Sequence, residues 1–199
     1  MQVPECAKMV VNEQFGGFIG RFLEQYFKLY DTDNREQLAA AYHENAMMSM
    51  QATFPPKFAD EAIKADYIPE SRNLKILHEN PPRRDRLLHQ KRTQIIGFLD
   101  KLPKTQHDTT SFTLDIPFAM ERLVTFTVTG AFRERSDKSH LPVRHFSRMF
   151  TVVPQGEGLC IVNDSLFITI ATKDQSEVCN HVTLLCILIH YFGHIYQHF

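Results

Sequence analysis

The chain has 199 residues, 43% hydrophobic and 11% aromatic, enough apolar material for one medium domain with a real core and too little for two ordinary ones. Its 22 basic and 23 acidic side chains leave a formal net charge of −1, which excludes a whole-molecule field strong enough to draw it onto nucleic acid or an anionic membrane. The four cysteines, Cys6, Cys160, Cys179 and Cys186, form no CxxC pair and fit a reduced compartment better than a disulfide-stapled secreted domain. Charges at Glu5, Lys8 and Glu13 interrupt any secretory signal at the start. The longest apolar stretch, Val182 to Ile189, is less than half of the roughly 20 residues a membrane-spanning helix needs.

Phe15, Phe18, Ile19, Phe22, Leu23, Tyr26, Phe27 and Tyr30 recur at three- and four-residue steps on one broad stripe, which predicts an opening helix. Gly16, Gly17 and Gly20 weaken its first turn. Asp31, Asp33 and Asn34 supply turn and cap chemistry for a second short helix from about Arg35 to Tyr42, packed antiparallel on the first. A short apolar segment, Met47 to Met50, ends at Phe54-Pro55-Pro56. Beyond it, Asp60 to Tyr67 and Ser71 to Leu77 read as helical pieces separated by Pro69, and Arg92 to Leu102 reads as a helix too.

From Gln106 the period changes from helical to alternating. Phe112, Leu114, Ile116 and Phe118 define one strand, and Val124, Phe126 and Val128 the next, the two forming a hairpin with all seven side chains directed inward. His145 to Val153 is a third strand and Leu159 to Ala171 a fourth, joined by the turn Pro154-Gln155-Gly156-Glu157-Gly158. Helices first and strands second argue for an α+β fold whose N-terminal helices cover one face of a curved antiparallel sheet. The tail after the polar stretch Thr172 to Glu177 has almost no charge and reads as appended to the domain.

Five stretches then appear in one order: FLEQYFKLYD (Phe22 to Asp31), AAYHENA (Ala40 to Ala46), SRNLK (Ser71 to Lys75), LPKTQHD (Leu102 to Asp108) and GLCIVNDSLF (Gly158 to Phe167). Together they closely resemble the nuclear transport factor 2-like domain of the nuclear RNA export factor family, over roughly Gln14 to Ala171. The resemblance divides the chain into an N-terminal extension (1–13), the domain (14–171) and a hydrophobic, His-containing tail (172–199) foreign to the family. It implies a cone-shaped fold and a non-enzymatic adaptor of nuclear mRNA export. The adaptor would heterodimerise with the small nuclear transport factor 2-related export protein and dock nucleoporin Phe-Gly repeats, shuttling between nucleus, nuclear envelope and cytoplasm. The cargo-binding RNA-recognition-like and leucine-rich domains of full-length members are not in this sequence. The chain therefore reads as a fragment, truncated paralogue or isoform, and a regulator that titrates the small partner is the alternative.

Asp115 is out of phase with Phe112, Leu114 and Ile116, so it projects from the opposite sheet face together with Thr113, Thr125 and Thr127. On the residues alone it is a solvated acid; the resemblance makes it the centre of the heterodimer interface, paired with a partner arginine. Phe15 and Phe18 stand where the family has two leucines of the Phe-Gly pocket, and Leu159 matches a third pocket residue; on the residues alone they are ordinary core. The change from leucine to phenylalanine fills or lines that pocket. Arg83, Arg84, Arg86, Lys91 and Arg92 form a basic run suited to a weak phosphate contact or to a solvated face. His190, His194 and His198 repeat every fourth residue, but no acidic or thiolate ligand lies in register, so no metal and no cofactor are assigned; an alternative or shifted reading frame is the preferred account of the tail.

A small-molecule isomerase or dehydratase is the rival class, because domains of the resembled fold also host such enzymes. It would need an acid or histidine facing an enclosed pocket, and the positions assigned inward are all apolar. A buried Asp–His or Tyr–Asp cluster reaching a cavity would revive it, and a filled interior would end it.

Overall fold

The computed structural model describes residues 13–54, 67–135, 141–156 and 158–176, with the side chains of 13–15 left out. The opening helix α1 runs over Glu13–Tyr30, its apolar stripe burying Ile19, Leu23, Tyr26, Phe27 and Tyr30. Asn34 then caps a 3-10 helix η1, Arg35–Ala41, by accepting the Glu36 N–H at 2.8 Å. The second helix is thus in the expected place but of the tighter type.

The remaining elements, in chain order, are β1 (Tyr42–Ala52), α2 (Pro81–Arg86), β2 (His89–Gln90), α3 (Arg92–Lys101), β3 (Thr105–Met120), β4 (Leu123–Glu134), β5 (Arg144–Gln155) and β6 (Gly158–Ile170). They form one six-stranded sheet in the order β2-β1-β6-β5-β4-β3. Every pairing is antiparallel except β1 with β6, so the sheet is mixed rather than antiparallel throughout. The segment Met47 to Met50 belongs to β1, which the sequence reading left without a strand. Ser71 to Leu77 is a set of turns, because the Asn73 side chain accepts the Lys75 N–H locally and competes with a helix. The helix lies further on, over Pro81–Arg86, where Asn80 caps and proline opens the first turn. Of the expected helix over Asp60 to Tyr67 only Tyr67 is described, in a turn; the rest lies outside the described residues.

Aromatic rings join α1 to the sheet. Phe22 meets Phe126 and Phe150 edge-on at 6.0 and 6.1 Å, and Phe27 meets Phe112 and Phe146 at 4.8 and 5.4 Å. The buried Arg35 guanidinium donates to the carbonyl oxygens of Tyr30, Leu99, Leu102 and Pro103, joining the end of α1 to the end of α3, whose negative helix pole suits a cation. No described helix is long and apolar enough to cross a membrane.

Two irregularities shape β3. Between Asp108 and Thr113 the strand makes a detour opposite Gly130, and the Phe112 ring lies over that glycine. Between Asp115 and Phe118, Ile116 and Pro117 together oppose a single position of β4. Proline has no N–H to give to a ladder and is at home in such a bulge. The extra residue reverses the alternation, so Phe118 is not an inward residue. It is 41% exposed and shares the outer face with Asp115. Ile116, Val124, Phe126 and Val128 are buried as expected, and Phe112 and Leu114 pack against the core at its margin.

Candidate functional site

The outer face of the sheet is turned away from α1, and register places its side chains in rows. Asp115 aligns with Thr127, Met149, Ser165 and Ser49 across five strands. The next row holds Phe118, Thr125, Thr151, Asn163 and Met47. Thr113, Thr129, Ser147, Phe167 and Gln51 make the row on the other side. The face is thus short hydroxyls around one exposed carboxylate. Four large apolar groups, Met47 (42%), Phe118 (41%), Met149 (41%) and Phe167 (36%), stand exposed on it. Exposed apolar side chains grouped on one face mark an interaction surface rather than a solvated one.

Two cavities flank α1. One of about 150 Å³ lies against the β3–β4 and β5–β6 turns, walled by Ile19, Glu121, Val124 and Pro154. The other, of about 350 Å³, lies against η1, walled by Phe22, Leu29, Leu38 and Ala41. Phe18, Gly158 and Leu159 line both. The structure therefore brings Phe18 and Leu159 together; the Phe15 side chain is outside the described residues.

The basic run is divided between two elements. Arg83, Arg84 and Arg86 lie on α2, with Arg83 Nη2 donating to the Pro69 carbonyl at 3.2 Å and Arg84 Nε 3.5 Å from Asp85 Oδ1. Lys91 is the N-cap of α3 with φ 70, and Arg92 Nε donates to the Tyr42 carbonyl at 2.7 Å. Arg83 and Arg92 thus have structural work in holding α2 and α3 to neighbouring loops and β1. His190, His194 and His198 lie outside the described residues; among the described ones no group of three His, Cys, Asp or Glu is placed to hold a metal.

The interior contains polar groups that the alternation of the hairpin did not show. Arg148 donates twice to Asp164, Nε to Oδ1 at 2.9 Å and Nη2 to Oδ2 at 2.7 Å. Tyr42 donates to the same Oδ2 at 2.5 Å, and the Tyr26 and Tyr42 hydroxyls are 2.7 Å apart. Burial, reinforced by the Asp164 charge, raises both phenols well above their ordinary range. Burial works against the charge on Arg148, but Asp164 beside it holds the guanidinium protonated. Near the C-terminal end of α1, His107 Nδ1 is 2.7 Å from Asp31 Oδ1, with the ring packed against Phe27 and Phe132. Burial pushes His107 below its ordinary value, partly opposed by Asp31, so a neutral ring donates to the carboxylate.

These clusters meet the polar half of the catalytic requirement, and Tyr26, at the end of the Tyr26–Tyr42–Asp164 chain, lines the cavity of about 350 Å³, whereas the His107 cluster has no such space. The cavity between His107 and Arg148 is about 10 Å³, room for about one water and for no substrate. The phenols and guanidinium are also held far from neutral pH, where general acid–base catalysis operates. The sequence reading missed all these pairs because the partners are brought together by strand pairing rather than by spacing.

Compared with known proteins, residues 18–169 match the family model described as "Nuclear RNA export factor, NTF2 domain". The chain belongs to the nuclear RNA export factor family. It is 39% identical over 164 residues to Nuclear RNA export factor 1 of Drosophila melanogaster, which takes in 79% of this chain and 24% of that protein. To Nuclear RNA export factor 2 of Homo sapiens it is 37% identical over 158 residues, 79% of this chain and 25% of that protein. The chain thus spans about a quarter of the length of these relatives. The crystal structure of the C. albicans Mtr2-Mex67 M domain complex superposes with a TM-score of 0.66 at 25% identity, covering 80% of this chain and 97% of that one. Asp115, Phe18, Leu159 and the basic run fall inside the matched span of the export-factor domain, whereas Phe15 and the tail fall outside it.

Proposed function

We propose that this export-factor domain is a non-enzymatic adaptor of nuclear mRNA export, working in the nucleus and at the pore. It heterodimerises through its open sheet face with the small nuclear transport factor 2-related export protein, and it takes nucleoporin Phe-Gly side chains beside Phe18 and Leu159. The observation that carries this reading is the exposed face itself, a carboxylate set among short hydroxyls and four exposed apolar side chains on the side of the sheet opposite α1. The similar C. albicans domain was solved as a complex with a second protein, which supports a partner of this kind. An arginine of that partner would neutralise Asp115 inside a contact otherwise free of charge. Such an ion pair is mainly a device for choosing the partner, because either charge left alone there is desolvated without compensation.

Co-expression of the full chain with the small export cofactor tests the reading directly. A stable complex of one copy of each on size-exclusion chromatography with light scattering supports it. Elution of the two proteins separately, with the chain alone as a monomer, contradicts it.

A further inference from the structure

A single ring-sized pocket is what the docking of one Phe-Gly side chain requires, yet the structure has two cavities separated by one ridge. The smaller, about 150 Å³, matches the size of an apolar cavity that holds one benzene ring. The larger, about 350 Å³, is more than twice that and is left mostly empty by a single ring. Phe18 and Leu159 line both, so their side chains form the boundary that the two cavities share.

We propose that the two cavities form one bipartite site for an extended peptide carrying two aromatic side chains, one seated on each side of the Phe18–Leu159 ridge, with an acidic residue beyond the ring that enters the larger cavity. This rests on the reading of Phe18 and Leu159 as a nucleoporin-docking site and gives that site its valency. Rings on two sides of one wall need positions two or three residues apart in an extended chain, roughly 7–10 Å. Such a chain brings unpaired backbone N–H and C=O groups with it. The exposed carboxamides of Gln25 and Gln37 line the larger cavity and can both donate to and accept from them.

Charge sets the direction of the peptide. Glu121 borders the smaller cavity, while Arg21, its guanidinium 5.9 Å from the centre of the Phe18 ring, borders the larger. An acidic side chain is therefore favoured beyond the Arg21 end and disfavoured at the Glu121 end. Each ring alone buries little area and binds weakly, but the second binds from a tethered position at high effective concentration.

Fluorescence anisotropy on the full chain with two dye-labelled peptides tests this. One is Phe-Gly-Ser-Phe-Gly-Glu, and the other has its second phenylalanine replaced by serine. The two-ring peptide is expected to bind at least about tenfold more tightly. Ala40 is exposed on η1 and lines only the larger cavity, so Ala40→Trp fills that cavity from the surface. In that variant the two-ring peptide should fall to the affinity of the one-ring peptide, whose own binding stays unchanged. Phe18→Arg should weaken both peptides. Equal binding of the two peptides to the unmodified chain, or indifference of the two-ring peptide to Ala40→Trp, overturns the bipartite site while the docking reading stands. Failure of both peptides to bind, or indifference of both to Phe18→Arg, overturns the docking reading and the bipartite site with it.

Discussion

Arg148 is 1% exposed and Asp164 fully buried, with Tyr26, Tyr30 and Phe150 rings around the guanidinium at 4.9 to 5.1 Å. Neither charge has water to fall back on. Asp164→Asn leaves the arginine charged and uncompensated, and is expected to lower stability by about 3–5 kcal/mol, read as a fall in the urea midpoint. An unchanged midpoint would show that the pair is not needed. His107 gives a second residue-scale expectation. Its value is lowered in the fold, so near pH 6.5 the unfolded chain binds a proton that the folded chain does not, and stability falls as pH drops below about 6.5. Asp31 adds to this at lower pH. Although burial opposes it, the hydrogen bonds from His107 and Thr105 hold the carboxyl below its ordinary value, so that contribution is lost as pH falls below about 4. His89 and His145 are also lowered by burial and act in the same direction. The decisive quantity is therefore the difference between the native chain and His107→Asn, which keeps a neutral donor toward Asp31. The variant should lose less stability between pH 7.5 and 5, and equal slopes would contradict the assignment. The outward face of Asp115 was legible in the alternation of β3. The pairs Asp31–His107 and Arg148–Asp164 were not, because no local period encodes which strand lies beside which.

The helix α1 was legible as an element, since its three- and four-residue stripe is the face that packs on Phe112, Phe126, Phe146 and Phe150. Strand β3 was legible only in part. Alternation carried to Phe118 puts that side chain inside, while the bulge at Ile116 and Pro117 puts it outside, and Pro117 was the available signal. The parallel pairing of β1 with β6 had no sequence signal, because it joins segments separated by most of the chain. The other detour of β3 yields a test of the β3–β4 pairing. A Cβ at Gly130 would lie 2.6 Å from Phe112 Cδ1 and 3.1 Å from Phe146 Cε1, both rings held by α1. Gly130→Ala is therefore expected to cost about 1–3 kcal/mol, seen as a lower thermal midpoint. A midpoint equal to that of the native chain would mean that Phe112 does not cover the glycine.

At the scale of the whole molecule, the inner face of the sheet is closed by α1 and its rings, and the outer face carries the exposed apolar groups around Asp115. The exposed outer face is a surface suited to recognition, as the proposed adaptor role requires. The family and the α+β architecture could be read from the five matched stretches and the change of period at Gln106. The tail beyond 176, with its histidine repeat, lies outside the described residues. The central claim is that the open sheet face binds the small partner, with Asp115 at its centre. The measurement that tests it most directly is co-purification of the small export cofactor with the native chain and with Asp115→Arg, alongside the thermal midpoint of each. Asp115 is exposed and stabilises nothing inside the domain, so the midpoint should not move, whereas like charges opposed in the interface cost on the order of several kcal/mol. The account predicts an unchanged midpoint and loss of the cofactor. Undiminished co-purification of Asp115→Arg would contradict it.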